Sequence, residues 1–182
     1  MLLLEQSLVT AVLKEDRKAQ IVLYNLCFPV LIGMARRFHA NEEDQVTLVN
    51  NAFMKILKHL PTFDDKYFES WIRKIIKNEI IDDFRRNKKY KAAFVFVDNY
   101  LVEEAVGPEI DDTFSKEYLQ ELLYNLSAPS RAVFNLHVIE GYAHKEIGTM
   151  LGISEQTSKW HVKIARKKLR ELLTKETAYE NR

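Results

Sequence analysis

Residues 141–170 read GYAHKEIGTMLGISEQTSKWHVKIARKKLR and contain the clearest structural signal in the chain. Gly152 follows an apolar-periodic run, where its freedom to adopt positive φ suits the end of a helix. Ser154 precedes a second such run, and its hydroxyl can accept a hydrogen bond from the amide of Gln156 or Thr157 at a helix start. The segment therefore predicts two short helices joined by a tight turn.

The two predicted helices have apolar faces that can pack together. Apolar residues recur at helical spacing in both, namely Ile147, Met150 and Leu151 in the first and Val162, Ala165 and Leu169 in the second. Between Ser154 and Arg170 the second helix carries six Lys and Arg residues against one acid, Glu155. A basic helix held across a partner helix fits a DNA major groove. The segment predicts a helix-turn-helix, and a solvated charged helix in a bundle is the alternative.

Charge is distributed in blocks along the 182 residues, although the formal net charge is only +1. Residues 66–91 contain nine basic and four acidic residues, and residues 129–175 contain the same numbers. Residues 92–128 between them contain one basic and eight acidic residues. This asymmetry is expected of a protein that contacts a polyanion at two separate places.

The first basic block coincides with a predicted amphipathic helix over residues 66–89. At 100° per residue, one arc carries the apolar residues Phe68, Trp71, Ile72, Ile75 and Ile76. The opposite arc carries the basic residues Arg73, Lys74, Lys77, Arg85 and Lys88. Glu79, Asp82 and Asp83 lie nearer the apolar arc, where carboxylates need partners because burying an unpaired charge is costly. Asp82 is therefore interpreted as structural.

The remaining pattern predicts an all-α protein made of two small helical domains. Further helices are predicted over residues 4–14, 17–39, 41–57, 114–126 and 129–140, with Pro29 as a potential kink in the second. Residues 92–113 lack helical periodicity and contain Gly107, Pro108 and six acids, which is typical of a linker. The predicted domains are therefore residues 1–91 and 114–182, joined by an acidic linker at 92–113. A short strand at 94–97 is the one non-helical alternative.

The composition does not favour an enzyme, a secreted protein or a membrane protein. Cys27 is the single cysteine and lies among apolar residues, so no internal disulfide can form and a reducing cytoplasm is expected. The five histidines are scattered, and the sequence lacks a phosphate-binding glycine loop and a nucleophile elbow. No run approaches the roughly 18 apolar residues that span a bilayer. We expect no catalysis, no metal and no cofactor.

Two blocks of the sequence resemble one family. Residues 68–86 read FESWIRKIIKNEIIDDFRR, and their tryptophan, isoleucine, asparagine, aspartate and arginine pair have the spacing of the region 2 helix of bacterial extracytoplasmic-function sigma factors of the sigma-70 family. LSAPSRAVF at 126–134, EGY at 140–142 and KEIG at 145–148 similarly resemble region 4 of that family. Response regulators share the helix-turn-helix, so it is the pair of blocks in this order that makes the resemblance specific.

The resemblance implies a cytoplasmic subunit that binds bacterial RNA polymerase core and directs promoter recognition and transcription initiation. Region 2 would read the −10 element and region 4 the −35 element. The implied partners are polymerase core and promoter DNA, and an anti-sigma factor is a further partner that the family allows. Two alternatives stay open: a sigma-like mimic that binds an anti-sigma regulator without directing transcription, and a stand-alone helix-turn-helix regulator.

Three sets of candidate residues follow from the resemblance and from side-chain chemistry. Melted bases need a stacking ring, an edge reader and cations, which gives the −10 set: Phe63, Arg73, Lys74, Lys77, Asn78, Arg85 and Arg86. Glutamine pairs with adenine, lysine reaches guanine and other cations hold phosphates, which gives the −35 set: Arg131, Gln156, Lys159, Trp160, His161, Lys163, Arg166 and Lys167. The helix that resembles the clamp-docking helix gives the core set: Leu48, Val49, Asn50, Asn51, Phe53 and Met54.

Some of these residues have competing interpretations. Phe63 and Asn78 are predicted to capture a melted base, with loop anchoring as the alternative for Phe63, and the layout points Arg86 toward the apolar arc. Trp160 is predicted to be exposed beside Gln156, Lys159 and Lys163, with a core position as its alternative. The phosphate contacts of the −35 set are predicted to be Arg131, His161, Arg166 and Lys167.

The chain departs from the family pattern at two places. The clamp-docking helix usually carries Asp-Leu-Val-Gln-Glu, whereas residues 47–51 read TLVNN, so two carboxylates are lost where basic polymerase residues are expected. The recognition helix has Ser158 where valine is usual and Ile164 where a basic residue is usual. We therefore expect unusual core binding, helix packing and base preference.

Overall fold

The computed structural model describes residues 4–63, 67–87 and 116–180. The α-helices in these ranges are α1 (Gln6–Leu13), α2 (Arg17–Phe38), α3 (Glu42–His59), α4 (Phe68–Arg86), α5 (Lys116–Tyr124), α6 (Ala128–Phe134), α7 (His144–Leu151) and α8 (Glu155–Glu180). A 3-10 turn follows α3 at Leu60–Thr62, and one turn of π-helix continues α6 at Asn135–Ile139. These three ranges contain no strand, and the predicted all-α class is confirmed.

The chain divides into an N-terminal unit, Met1–Asp82, and a C-terminal unit, Asp83–Arg182. Buried apolar side chains from α1 to α4 form the core of the first, and those from α5 to α8 form the core of the second. The predicted linker at 92–113 and the alternative strand at 94–97 lie outside the described residues. The domain limits at residues 91 and 114 therefore stay predictions.

In the N-terminal unit, α2 packs against both α1 and α3. Asp16 begins α2 by accepting hydrogen bonds from the amides of Lys18 and Ala19, at 2.8 and 3.1 Å. Its buried face consists of Ala19, Leu23, Cys27, Leu31, Met34, Ala35 and Phe38. Pro29 lies on the exposed side, and the helix continues through it. By length and composition alone α2 could cross a membrane, a property that core helices of globular units share.

The helix α3 begins where the sequence predicts. The Asn41 side chain accepts a hydrogen bond from the Asp44 amide at 3.1 Å, and the acids of the first turn lie at the positive end of the helix dipole. Its buried face consists of Gln45, Leu48, Val49, Ala52, Phe53 and Ile56. In α4 the side chains of Phe68, Ile72, Ile76 and Ile80 are buried, so the predicted apolar arc faces the core.

A buried ion pair joins α3 to α4. The Glu79 side chain is 1% exposed, and its Oε2 lies 2.5 Å from Lys55 Nζ. The same Nζ lies 3.3 Å from Asp82 Oδ2, and Asn51 Nδ2 donates a hydrogen bond to Glu79 Oε1 at 3.3 Å. The hydrogen bond to Glu79 raises the pKa of Lys55, although burial opposes the shift. The prediction that acids near the apolar arc have partners is confirmed for Glu79 and Asp82.

In the C-terminal unit, α8 packs against α5, α6 and α7. The core here contains Leu123, Leu126, Phe134 and Ala165, with Leu169 packed at its edge. The Ser127 side chain caps α6 by accepting a hydrogen bond from the Ser130 amide at 3.4 Å.

The turn between α7 and α8 confirms the predicted helix-turn-helix. Gly152 ends α7 in the left-handed conformation, with φ of 69°. The Ser154 hydroxyl caps α8 by accepting a hydrogen bond from the Thr157 amide at 3.0 Å. Ile147, Leu151 and Val162 are buried, so the two predicted apolar faces are internal.

Gly148 lies in α7 where the turn passes very close. A Cβ at this position would lie 2.8 Å from the backbone oxygen of Ile153, which is closer than real contacts allow. We expect Gly148→Ala to lower the unfolding free energy of the C-terminal unit by about 2 kcal/mol, because α7 and the turn must separate. Chemical denaturation measures this change.

Gly33→Ala in α2 is the matched control, since a Cβ there would meet nothing within 4 Å. This substitution should be neutral or slightly stabilising, because glycine is entropically unfavourable in a helix interior. Equal effects of the two substitutions would show that Gly148 is not needed for the close approach.

Candidate nucleic-acid interface

The exposed side of α8 carries a stripe of polar residues. Gln156 and Lys167 are exposed and Lys159 and Lys163 are half-buried. They recur three or four residues apart along the helix, which places them on one face. We call Gln156, Lys159, Lys163 and Lys167 the α8 stripe. It begins in the first turn of α8, the second helix of the helix-turn-helix, where a recognition helix contacts base edges.

An ion pair stands at the beginning of this stripe. Lys159 Nζ lies 2.8 Å from Glu155 Oε1, one helical turn away. The hydrogen bond and the charge of Lys159 lower the pKa of Glu155. Both side chains are close to half exposed, at 42% and 45%, so the pair is presented to solvent.

Arg131 is buried rather than available to phosphates. Its residue exposure is 5%, and its guanidinium carbon lies 5.5 Å from the centroid of the Tyr124 ring, in a cation–π arrangement. This burial corrects the predicted phosphate contact. Arg131 lies in α6, which packs against α8 inside the C-terminal unit.

His161 is also buried, and its predicted phosphate contact is corrected for the same reason. The residue is 2% exposed, and its Nδ1 lies 3.0 Å from Ser130 Oγ of α6. It is three residues from Ser158 and four from Ala165, both fully buried, so it belongs to the inner face of α8. Burial lowers the pKa of His161 to about 4, so the ring is neutral at physiological pH.

Trp160 is neither fully exposed, as predicted, nor fully buried in the core, as its alternative required. It is half-buried, and its ring meets that of His161 edge to face, with centroids 4.9 Å apart at 82°. One side of the indole is thus held against α8 while the rest reaches the surface. Arg166 is half-buried as well, close to the stripe.

The unusual Ser158 has a partner that the sequence does not reveal. Its residue exposure is 0%, and its Oγ lies 2.9 Å from His144 Nδ1 in α7. The His144 ring stacks on that of His137 with centroids 4.0 Å apart. Burial and then the nearby His137 lower the pKa of His144 to about 4. A hydrogen bond between α7 and α8 therefore replaces the apolar contact that valine would make.

The basic face of α4 lies toward solvent as the angular layout predicts. Six members of the −10 set are exposed or half-buried: Arg73, Lys74, Lys77, Asn78, Arg85 and Arg86. Arg86, which the angular layout points toward the apolar arc, lies in the last turn of α4 and is exposed. Arg73 donates to Glu69 from Nε at 3.2 Å and from Nη2 at 2.7 Å, which restrains its reach.

Phe63 packs within an aromatic cluster at the start of α4. Its ring centroid lies 4.7 Å from that of Trp71 and 5.6 Å from that of Phe68. The residue is half-buried, so part of the ring is occupied by these contacts. This packing favours the loop-anchoring alternative over base capture.

The core set divides into buried and exposed halves. Leu48 and Val49 are buried, as is Phe53 at 9%, so their expected place in a docking surface is corrected. Helical periodicity turns these apolar positions toward α2. Asn50, Asn51 and Met54 are exposed, with Met54 at 64%.

The exposed residues of the core set lie beside residues of α2 that the sequence did not lead us to include in this set. A groove of about 410 Å³ is lined by Arg17, Gln20, Ile21, Tyr24 and Phe53. The Tyr24 hydroxyl donates a hydrogen bond to Asn50 Oδ1 at 3.4 Å, and Ile21 is 61% exposed. Ile21 could have been identified from the sequence, because it is an apolar residue that lies off the buried face of α2.

Comparison with known proteins assigns both units to families. Residues 23–90 match the family described as Sigma-70 region 2, and residues 116–169 match the family described as Sigma-70, region 4. The two matches occur in the order that the sequence analysis expected.

The chain is also similar to individual proteins. The chain is 32% identical over 130 residues to RNA polymerase sigma factor SigZ of Bacillus subtilis, covering 69% of this chain and 70% of SigZ. It is 27% identical over 148 residues to ECF RNA polymerase sigma factor SigE of Mycolicibacterium smegmatis, covering 80% of this chain but only 58% of SigE. The co-crystal structure of the sigma factor RpoE with the anti-sigma factor NepR from Bartonella quintana is similar at a TM-score of 0.48 and 23% identity, over 88% of this chain and 98% of that one.

Proposed function

The chain belongs to the extracytoplasmic-function sigma factors of the sigma-70 family, and we propose that it binds RNA polymerase core and directs promoter recognition and transcription initiation. In this proposal, residues 1–91 bind the core and read the −10 element, and residues 114–182 read the −35 element. Residues 92–113 link them. The work is binding in the bacterial cytoplasm, so it requires no catalytic group in this chain.

The observation that supports the proposal most is the helix-turn-helix with its basic α8 stripe. Gln156 can pair with adenine, and Lys159 and Lys163 can reach guanine acceptors. Arg166 and Lys167 remain as phosphate contacts, whereas the buried Arg131 and His161 leave the −35 set. The revised set consists of Gln156, Lys159, Trp160, Lys163, Arg166 and Lys167.

Reading of the −10 element is proposed for the exposed face of α4. Melted bases can be recognised by an amide on their edges, and Asn78 is an exposed amide among cations. Lys74 and Lys77, with the arginines of the set, would hold the phosphates. Phe63 is assigned to anchoring the loop before α4, since its ring already contacts Trp71 and Phe68.

Core binding is proposed for the exposed residues of α3 with their neighbours on α2. Asn50, Asn51 and Met54 provide amides and an exposed thioether, and Ile21 and Tyr24 extend the surface. Amides carry no charge, so this contact should depend less on salt than a contact made by carboxylates.

A binding experiment separates this proposal from its alternatives. The full chain is mixed with bacterial core polymerase and passed over a size-exclusion column. A stable complex that also retains promoter DNA is the expected result. A mimic would give no promoter-dependent complex, and a stand-alone regulator would bind DNA without core.

Base reading by α8 predicts different effects for two lysines on the same face. Lys163→Ala should weaken binding to the cognate −35 site by about 2 kcal/mol and relax base preference at one position. Lys167→Ala is the matched control, and it should weaken all sequences alike and lower the salt slope by about one unit. Selection from random duplexes by the reconstituted holoenzyme measures both. If Lys163→Ala leaves every base preference unchanged, Lys163 does not read bases.

A further inference from the structure

Glu155 stands where a carboxylate is electrostatically unfavourable for DNA binding. It is the single acid between Ser154 and Arg170, and it lies in the first turn of α8, which would enter the major groove. Phosphate oxygens and guanine edges present acceptors, which repel a carboxylate. An acid near a helix start stabilises the helix through the dipole, but that role does not require contact with Lys159.

The contact with Lys159 gives this carboxylate a second role. Glu155 Oε1 holds Lys159 Nζ at 2.8 Å, and both side chains are about half exposed. An ammonium has three donors, so two remain for DNA after one is used by Glu155. The other carboxylate oxygen remains as an acceptor. The pair therefore presents a donor and an acceptor side by side at the beginning of the α8 stripe.

We propose that Glu155 determines specificity by reading one G·C base pair together with Lys159. Its carboxylate would accept a hydrogen bond from the cytosine N4 amino group while Lys159 donates to guanine O6 and N7. An A·T pair fits less well, because its adenine amino group adjoins N7 and replaces one of the two acceptors that guanine offers. The inference rests on the proposed reading of promoter DNA by α8.

The pairing also predicts what Lys159 does away from its cognate site. A lysine held by a carboxylate is kept from the phosphates, so it contributes less to non-specific binding. Removing the carboxylate should release Lys159 to neutralise a phosphate. Glu155→Gln should therefore bind non-cognate duplex more tightly while discriminating less between base pairs.

Selection from random duplexes by the reconstituted holoenzyme tests the inference with a matched control. Glu155→Gln should lower discrimination at one G·C position about tenfold and steepen the salt slope by about one unit. Glu171→Gln removes the same charge from an exposed position further along α8 and should leave base preference unchanged. Lys159→Ala should lose preference at the same base pair, and the double variant should lose no more than either single variant.

One outcome would contradict the role of Glu155, and a different outcome would contradict the proposed function. If the unsubstituted protein selects a site and Glu155→Gln selects it with the same preference at every position, Glu155 does not determine specificity. If the unsubstituted protein selects no sequence, the proposed function itself fails. A cooperative thermal unfolding transition above the temperature of the selection, for both Glu155→Gln and Glu171→Gln, excludes misfolding as the cause of either result.

Discussion

Replacing Lys55 with methionine should lower the unfolding free energy of the N-terminal unit by about 3 kcal/mol. The substitution keeps the length of the side chain but removes the ammonium that lies 2.5 Å from Glu79, whose side chain is 1% exposed. Glu79 would keep its hydrogen bond from Asn51 at 3.3 Å but would have lost its charged partner. We take the lower end of the range for broken buried pairs because Lys55 itself is 40% exposed.

Two further variants identify the cause. Lys58→Met, at an exposed position of the same helix, should change stability by less than about 0.5 kcal/mol. Lys55→Met combined with Glu79→Leu should recover much of the loss, since no buried carboxylate remains. The chain has two tryptophans, and Trp71 reports on α4, so denaturation can be followed in a Trp160→Phe background. A loss in the double variant equal to the sum of both singles would contradict this explanation.

The C-terminal unit should lose about 3 kcal/mol of stability between pH 7 and pH 4. Burial lowers the pKa of His161 from 6.5 to about 4. The unfolded chain therefore binds a proton below about pH 6.5, whereas the folded unit binds it only near pH 4. The contribution of His161 to the unfolding free energy is therefore present above pH 6.5 and is lost as the pH falls from 6.5 to about 4. His144 shifts in the same direction but is less buried, so it adds less.

Asparagine at position 161 tests this assignment. His161→Asn retains a polar atom near the Nδ1 position, which faces Ser130 Oγ at 3.0 Å, but it cannot titrate. Its stability should therefore depend much less on pH than that of the unsubstituted protein. His59→Asn, an exposed position in the other unit, should leave the dependence unchanged. Denaturation followed by Trp160 in a Trp71→Phe background gives the curve, and a flat profile for the unsubstituted protein would refute the assignment.

The helix-turn-helix could be predicted because its signals are local. Positive φ at Gly152 and the cap at Ser154 depend on neighbouring residues, and both appear as predicted. The apolar faces of α7 and α8 follow from helical period alone. Local rules of this kind do not depend on what the helices pack against.

Burial of polar residues could not be predicted in the same way. The buried His161 lies within hydrogen-bond distance of Ser130, which is 31 residues earlier in the chain. A pairing over this distance cannot be predicted from the sequence. The sequence predicted that Glu79 needs a partner, but it did not show that Lys55 is that partner. The burial of Leu48, Val49 and Phe53 could have been predicted, because they share a helical face with the buried Ala52 and Ile56.

Transcription from a defined template is the most direct test of the central claim. The full chain is reconstituted with bacterial core polymerase, and transcript 5′ ends are mapped on a library of duplex templates. The account predicts initiation at defined positions downstream of a shared pair of elements, only when the chain is present. Core complexes that form but initiate at no defined position, with or without the chain, would contradict it.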